Sequence, residues 1–360
     1  MPLPAGESVL ASGPEVTDSE VTFRFADPDH VLTAMRLSQD VRVPGSQLDF
    51  ERDEGGWTLR LDRPDVHRIE YLFELTHLDG GTQHVRDPAN PLMSPGAFGD
   101  KSVLELPDYQ PPEWVGVDGG DAPIGDSRDL AVPARALGTE VPVRLWTPSD
   151  TWDDEPLPLL VVHDGPEYDE LAGLTTCLGV LVAGGQLPRV RAALLSPGPR
   201  DDWYSANGAY TRGLSLAVVP HLRGLVTTTA VVGMGASLGA LAMLHAQRRN
   251  AGTFDALFLQ SGSFFHPRYD AHERRFPHYD RVVRSVDGVL RAGGHHSPVP
   301  VVMTCGRIEE NIENNRTMAR ALSAQGYDVA LHELADVHNY TAWRDAFDPF
   351  LTRLLRMVAS

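Results

Sequence analysis

Two patterns of apolar and polar positions divide the chain. Between Glu20 and Leu106 apolar residues alternate with polar ones over short runs, Val21–Phe25, Ala34–Leu37, Trp57–Leu61 and Ile69–Leu75. That period of two belongs to strands with one buried face. Turn signals at Asp27-Pro28, Glu54-Gly-Gly56 and Asp79-Gly-Gly81 separate the runs, and short strands at this spacing predict a small β-sandwich. From Ser127 onward the pattern changes. Strands are predicted at Glu140–Trp146, Leu159–Val162, Val190–Leu195, Ala230–Val232, Ala256–Leu259, Val299–Thr304 and Val329–Leu334. Helices are predicted at Glu170–Val182, Arg212–Leu222, from Ser237 to about Arg248, and at Asn314–Gln325 and Trp343–Val358. Alternating strands and helices predict a mostly parallel sheet covered on both faces. Pro142 suggests an edge position for its strand. The expected division is a sandwich over 1–112, a Pro/Gly-rich linker over 113–126 and an α/β domain over 127–360, with residues 1 to about 20 a loosely ordered lead-in.

The length of 360 residues suits two domains. A formal net charge of -18 argues against binding nucleic acid, a polyanion. Lys101 is the only lysine, so the basic residues are nearly all Arg. The two cysteines, Cys177 and Cys305, fall in predicted core segments and are expected to be buried free thiols. No apolar run reaches membrane-spanning length and the start, Met1-Pro-Leu-Pro, lacks a basic and an apolar region, so a cytoplasmic protein with no membrane partner is expected.

Gly235-Ala-Ser-Leu-Gly239 fits G-x-S-x-G between the Ala230–Val232 strand and a helix-forming segment, the context in which a serine is exposed on a strained turn. Ser237 is then the candidate nucleophile, and the Leu238 N–H at the helix start one oxyanion donor. A serine needs a base, and in this arrangement nucleophile, acid and histidine follow in chain order. His338, beyond the last predicted strand, is the candidate base. Glu309 and Glu310 follow the preceding strand, and either could accept the imidazole Nδ1 proton. The second oxyanion donor is expected from His163-Asp-Gly-Pro-Glu-Tyr168; Pro166 has no N–H, which leaves Gly165, Glu167 or a side chain. His266, His272, His278, His295 and His296 fit no zinc spacing, so neither metal nor cofactor is expected. The Arg-rich stretch Phe264–Pro298 is read as an inserted cap near the active site.

With these residues placed, the chain resembles the enterochelin-esterase (esterase D-like) family of α/β-hydrolases, which carry an N-terminal immunoglobulin-like domain. The resemblance rests on Gly235-Ala-Ser-Leu-Gly239, on Asp164-Gly165, and on Arg200 with Asn207, Tyr210 and Pro220. It rests also on Cys305-Gly-x-x-Glu309, on His338-Asn-x-x-x-Trp343-Arg344, on Val21–Phe25 and Tyr71–Phe73, and on Asp87-Pro-Ala-Asn-Pro91. It implies an α/β-hydrolase fold after an immunoglobulin-like sandwich that helps shape the substrate entrance, with Ser237 as nucleophile, His338 as base and Glu309 as acid. Arg200, Arg344, Trp343 and Asp164 are the substrate-binding candidates it suggests. Pro166 and Asp336-Val337 depart from the family pattern, which has an amide donor and Gly-Gly at these places.

The expected activity is that of a serine esterase working through an acyl-enzyme. The resemblance adds a ferric siderophore of the enterochelin type as substrate, with iron release in the cytoplasm. An acyltransferase like the mycolyltransferases and a non-catalytic binding protein with a hydrolase fold are the alternatives; whether the chain forms a homo-oligomer stays open.

Overall fold

The computed structural model describes residues 13–117 and 125–360. The first part of the expected lead-in and the middle of the expected linker lie outside these residues. The chain forms two units, one of residues 1–110 with Ala335–Val337, the other of residues 111–334 with 338–360. Among the described residues no helix is long and apolar enough to cross a membrane.

The first unit is a sandwich of two antiparallel sheets. Strands β1 (Glu15–Val16), β2 (Glu20–Ala26), β4 (Glu51–Asp53) and β5 (Gly56–Asp62) form one sheet in the order β1-β2-β5-β4. Strands β3 (Leu32–Gln39), β6 (Arg68–His77), β8 (Met93–Ser94) and β9 (Lys101–Glu105) form the other in the order β3-β6-β9-β8, with β7 (Thr82–Val85) also on β6. The alternation read from the sequence places Phe23 and Phe25 of β2 on the inner face, where they meet Tyr71 and Phe73 of β6 edge-on at 5.0 and 5.8 Å. Such aromatic pairs add to the stabilisation from burial. The Asp87-Pro-Ala-Asn-Pro91 string has a structural task. The Tyr71 hydroxyl donates to Asp87 at 2.7 Å, and Asn90 Nδ2 donates to the Tyr71 hydroxyl at 3.0 Å and to the Val103 carbonyl at 2.7 Å. In the same unit the His67 N–H donates to the Ala335 carbonyl at 2.6 Å, and Val337, one of the two residues standing where the family pattern has Gly-Gly, is buried.

The second unit is built on an eight-stranded sheet of β10 (Gly125–Ala134), β11 (Thr139–Pro148), β12 (Leu157–Val162), β13 (Arg191–Leu195), β14 (Thr228–Ala236), β15 (Ala256–Gln260), β16 (Val301–Gly306) and β17 (Val329–Leu334). Their spatial order is β10-β11-β13-β12-β14-β15-β16-β17. The β10–β11 and β11–β13 pairs are antiparallel and the rest parallel. Every residue of β12, β13 and β15 is buried, as expected for strands covered on both faces.

Four expectations need correction. The strand with Pro142 is not at the edge, because β10 lies outside it. Pro142 is tolerated because β13 pairs only with Val143–Trp146, leaving Pro142 just beyond that ladder. The helix predicted over Glu170–Val182 is two, α1 (Gly165–Ala172) and α2 (Leu174–Ala183), parted at Gly173 with φ 61°; apolar periodicity continues across a break that only the backbone reveals. The stretch Phe264–Pro298 is not wholly an insertion. After α3 (Arg200–Trp203), α4 (Gly208–Gly213), α5 (Val219–Leu225) and α6 (Leu238–Arg249), it contains α7 (Tyr279–Leu290), whose Tyr279, Val282 and Val286 enter the core. Helix α7 is the crossover that parallel pairing of β15 with β16 requires. Trp114 is buried in the second unit, stacked at 6.3 Å on Phe347, and β10 begins at Gly125. The last helices are α8 (Ile312–Ala324), α9 (Tyr340–Asp345) and α10 (Thr352–Ala359). The predicted helix over Trp343–Val358 is interrupted at Asp348, whose φ/ψ is not helical.

Candidate active site

Strand β14 ends at Ala236 and α6 starts at Leu238, so Ser237 occupies the whole turn, at φ 55° and ψ -124°. A non-glycine residue there is strained. The surroundings enforce it. The Ser237 N–H donates to the Gln260 carbonyl at 2.9 Å and the Ser237 carbonyl accepts from the Ser263 N–H at 3.0 Å. A Cβ on Gly235 would lie 2.6 Å from the Gly239 carbonyl carbon, so glycine is required there, and one on Gly239 would be a tight fit at 3.2 Å from the His163 Cβ. Strand and helix cross too closely for a side chain at Gly235. The Ser237 Oγ lies 2.9 Å from the Ser263 Oγ.

At the end of β12, Asp164 takes a left-handed conformation (φ 51°) and α1 begins at Gly165. A Cβ on Gly165 would come 2.3 Å from the Leu194 Cα. Pro166 stands in the first turn of α1, where a helix lacks a partner for the N–H anyway. The proline therefore breaks no bond of the turn, and the Gly165 amide stays in place.

His163 is fully buried. Its Nδ1 lies 3.0 Å from the Gly239 carbonyl and its Nε2 2.7 Å from the Tyr210 hydroxyl. A carbonyl can only accept, so Nδ1 carries the proton and Nε2 accepts from Tyr210. Burial holds its pKa down to about 4. Between pH 6.5 and about 4 the unfolded imidazole takes up a proton that the folded one refuses, so this group's contribution to stability falls as pH falls through that window, by roughly 3 kcal/mol in all. In His163→Phe the urea midpoint is expected to fall less steeply between pH 6.5 and 4 than in the wild type. Equal slopes would show that His163 does not govern this dependence.

The acid and base candidates approach each other. Glu309, at the start of the loop after β16, is 1% exposed, and its Oε1 lies 3.7 Å from the His338 Nδ1. Its Oε1 also accepts from the Cys305 thiol at 2.9 Å and its Oε2 from the Ser261 hydroxyl at 3.0 Å. Burial, then the Glu309 carboxylate, pushes the Cys305 thiol well above its ordinary pKa. It stays a thiol, and Cys177 is likewise buried and free. Glu310 turns outward and pairs with His272 at 2.9 Å. Adjacent residues in a loop project in different directions, which separates two carboxylates that the sequence left equivalent. Asn311 Nδ2 lies 3.4 Å from the His338 Nδ1.

The substrate-binding candidates have partners within the protein. Arg200 holds Asp164 through Nε at 2.9 Å and Nη2 at 2.8 Å. Burial works to lower the Arg200 pKa, but this two-point pairing outweighs it and the net shift is upward. Arg344 bonds Asp345 at 2.7 Å. Trp343 is buried, meets the His338 ring edge-on at 5.1 Å and donates from Nε1 to the Ser261 hydroxyl at 3.1 Å. Among the described residues His272, Glu273 and Glu310 could together hold a cation; burial and the Glu310 charge raise the Glu273 pKa. Sequence reading missed Ser261 and Ser263. Their position just past the end of β15 was the available signal, since chemistry in α/β sheets collects at the carboxyl ends of the strands.

Known proteins are similar to this chain. The family model Esterase, described as "Putative esterase", matches residues 134–354. The enterobactin esterase of Shigella flexneri, crystallised in the presence of enterobactin, is 21% identical and superposes with a TM-score of 0.73 over 96% of this chain and 95% of its own. The ferric enterobactin esterase of Salmonella typhimurium is 20% identical, with a TM-score of 0.72 over 96% of each chain. An IroE-like serine hydrolase from Shewanella oneidensis is 16% identical, with a TM-score of 0.51 over 64% of this chain and 80% of its own. No curated protein sequence matches. At these identities the structural likenesses show a shared fold, extending over both units in the first two cases.

Proposed function

The chain belongs to the esterase family, and on that premise we propose that it hydrolyses a carboxylic ester through an acyl-enzyme formed on Ser237. The observation that carries this reading is the Ser237 turn, with a strained backbone held by its neighbours at a helix start. The Ser237 Oγ attacks the ester carbonyl and His338 takes its proton, while Glu309 accepts from the His338 Nδ1–H and stabilises the imidazolium. The oxyanion that forms is met by the Leu238 N–H, where the α6 dipole is positive, and by the Gly165 N–H. Collapse of the intermediate expels the alcohol, which takes the proton from His338. Water, deprotonated by His338, then attacks the acyl-enzyme and releases the acid.

The substrate proposed is a ferric siderophore of the enterobactin type, the compound named for the structural relatives; cutting its esters would loosen chelation and free iron in the cytoplasm. Arg200 keeps 35% of its side chain exposed beyond its Asp164 pairing and is the candidate to meet an anionic or catechol group. Pro166, which prompts the non-catalytic alternative because it has no N–H to offer the oxyanion, leaves the Gly165 amide at the start of α1 as the second donor in this reading.

A fluorophosphonate probe reacts only with an activated serine, so mass analysis of the labelled protein is expected to find one adduct, on the Ser237 peptide. An unlabelled protein, or a label elsewhere, would remove Ser237 from the mechanism. Comparing ferric enterobactin with short p-nitrophenyl esters then decides the substrate, separately from the chemistry.

A further inference from the structure

We propose that Ser261 and Trp343 form a relay that positions Glu309 toward His338, so that both act on the reaction through the acid without touching substrate. The inference rests on the reading of Glu309 as the triad acid. A carboxylate almost wholly removed from water needs hydrogen-bond donors on both oxygens to be held in one orientation. Glu309 is 1% exposed. Its Oε1 faces the Cys305 thiol and the His338 Nδ1, and its Oε2 is met by the Ser261 hydroxyl at 3.0 Å.

The direction of the relay follows from donor chemistry. An indole N–H can donate but never accept. Trp343 Nε1 lies 3.1 Å from the Ser261 Oγ, so that oxygen accepts from Trp343, and its single proton is left to point at Glu309. Without the indole the hydroxyl could turn its proton elsewhere. Fixing one carboxylate oxygen from behind fixes where the other points, and that other oxygen faces the imidazole.

Ser261 is held for this task at a cost. Its φ of 46° lies in the left-handed region, disfavoured for a residue with a Cβ. Its N–H donates to the Thr304 carbonyl at 2.7 Å and its carbonyl accepts from Asn311 Nδ2 at 3.2 Å. Gly262 is clamped on both sides by Asn315, its N–H donating to Oδ1 at 3.0 Å and its carbonyl accepting from Nδ2 at 2.8 Å. Ser263 then reaches the Ser237 Oγ. One rigid three-residue turn thus touches the acid through its first hydroxyl and the nucleophile through its last.

The test is a double-mutant cycle on the full chain with p-nitrophenyl acetate. Ser261→Ala is expected to lower kcat about 10- to 100-fold, the size expected for loss of a bond to a charged group, with KM changed less than about twofold. Trp343→Phe keeps the ring and removes the N–H; it is expected to lower kcat in the same direction by less, and serves if Ser261→Ala does not fold. In a Glu309→Ala background both substitutions are expected to change kcat less than about twofold, because a group acting through the acid has nothing left to act on. Full additivity of the losses, or wild-type kcat in folded Ser261→Ala and Trp343→Phe, would overturn the relay. If Glu309→Ala itself has wild-type activity, the triad assignment fails and the relay with it. If Glu309→Ala is impaired while Ser261→Ala is not, the relay alone fails.

Discussion

Ser237→Ala is expected to lose ester hydrolysis by roughly 10,000-fold or more in kcat/KM, about 5 kcal/mol of transition-state stabilisation. The size follows from what the hydroxyl does. Without it no acyl-enzyme forms, and the imidazole and carboxylate have no nucleophile to serve, so the loss approaches that of removing all three groups. Stability is expected to stay within about 1 kcal/mol of wild type, because the removed atom gives up only its bond to Ser263 while the backbone bonds that hold the turn remain. Steady-state hydrolysis of p-nitrophenyl acetate, with urea unfolding as the fold control, makes the comparison. A folded Ser237→Ala protein with wild-type kcat/KM would exclude the acyl-enzyme route.

Gly235→Ala is expected to destabilise the protein by roughly 3 kcal/mol or more, at or above the usual range for overpacking. The added methyl would lie 2.6 Å from the carbonyl carbon and 2.8 Å from the carbonyl oxygen of Gly239. Backbone cannot swing aside as a flexible side-chain end can, so β14 and α6 must separate, and the Ser237 turn moves with them. Activity should fall together with stability. Gly288→Ala provides the contrast. Gly288 lies inside α7 and a Cβ there would meet nothing within 4 Å, so the same chemical change is expected to stabilise by about 0.5–1 kcal/mol. Urea midpoints of the two variants should move in opposite directions. A Gly235→Ala midpoint equal to wild type would show that the strand–helix crossing is looser than the distances require.

The sequence by itself determined the division into an alternating β unit and a unit of alternating strands and helices, and it singled out Ser237. Both signals are local. Burial on one face or both sets the spacing of apolar residues along a strand, and a sharp strand-to-helix turn admits only glycine where the two elements cross. What the local pattern could not carry was decided by tertiary structure. Periodicity ran on through the Gly173 break between α1 and α2, and polar residues on the outer side of α7 disguised a crossover helix as an insertion. Glu309 and Glu310 are chemically alike and adjacent, and only the path of the loop after β16 turns one toward His338 and the other toward His272. Trp343 and Arg200, which the resemblance suggests for substrate, also bond Ser261 and Asp164, partners that no local pattern reveals. The physical reason is the same in each case. A residue's place along one element fixes the face it shares, whereas its partner comes from another loop tens of residues away, and that meeting is set by how the strands order themselves in the sheet.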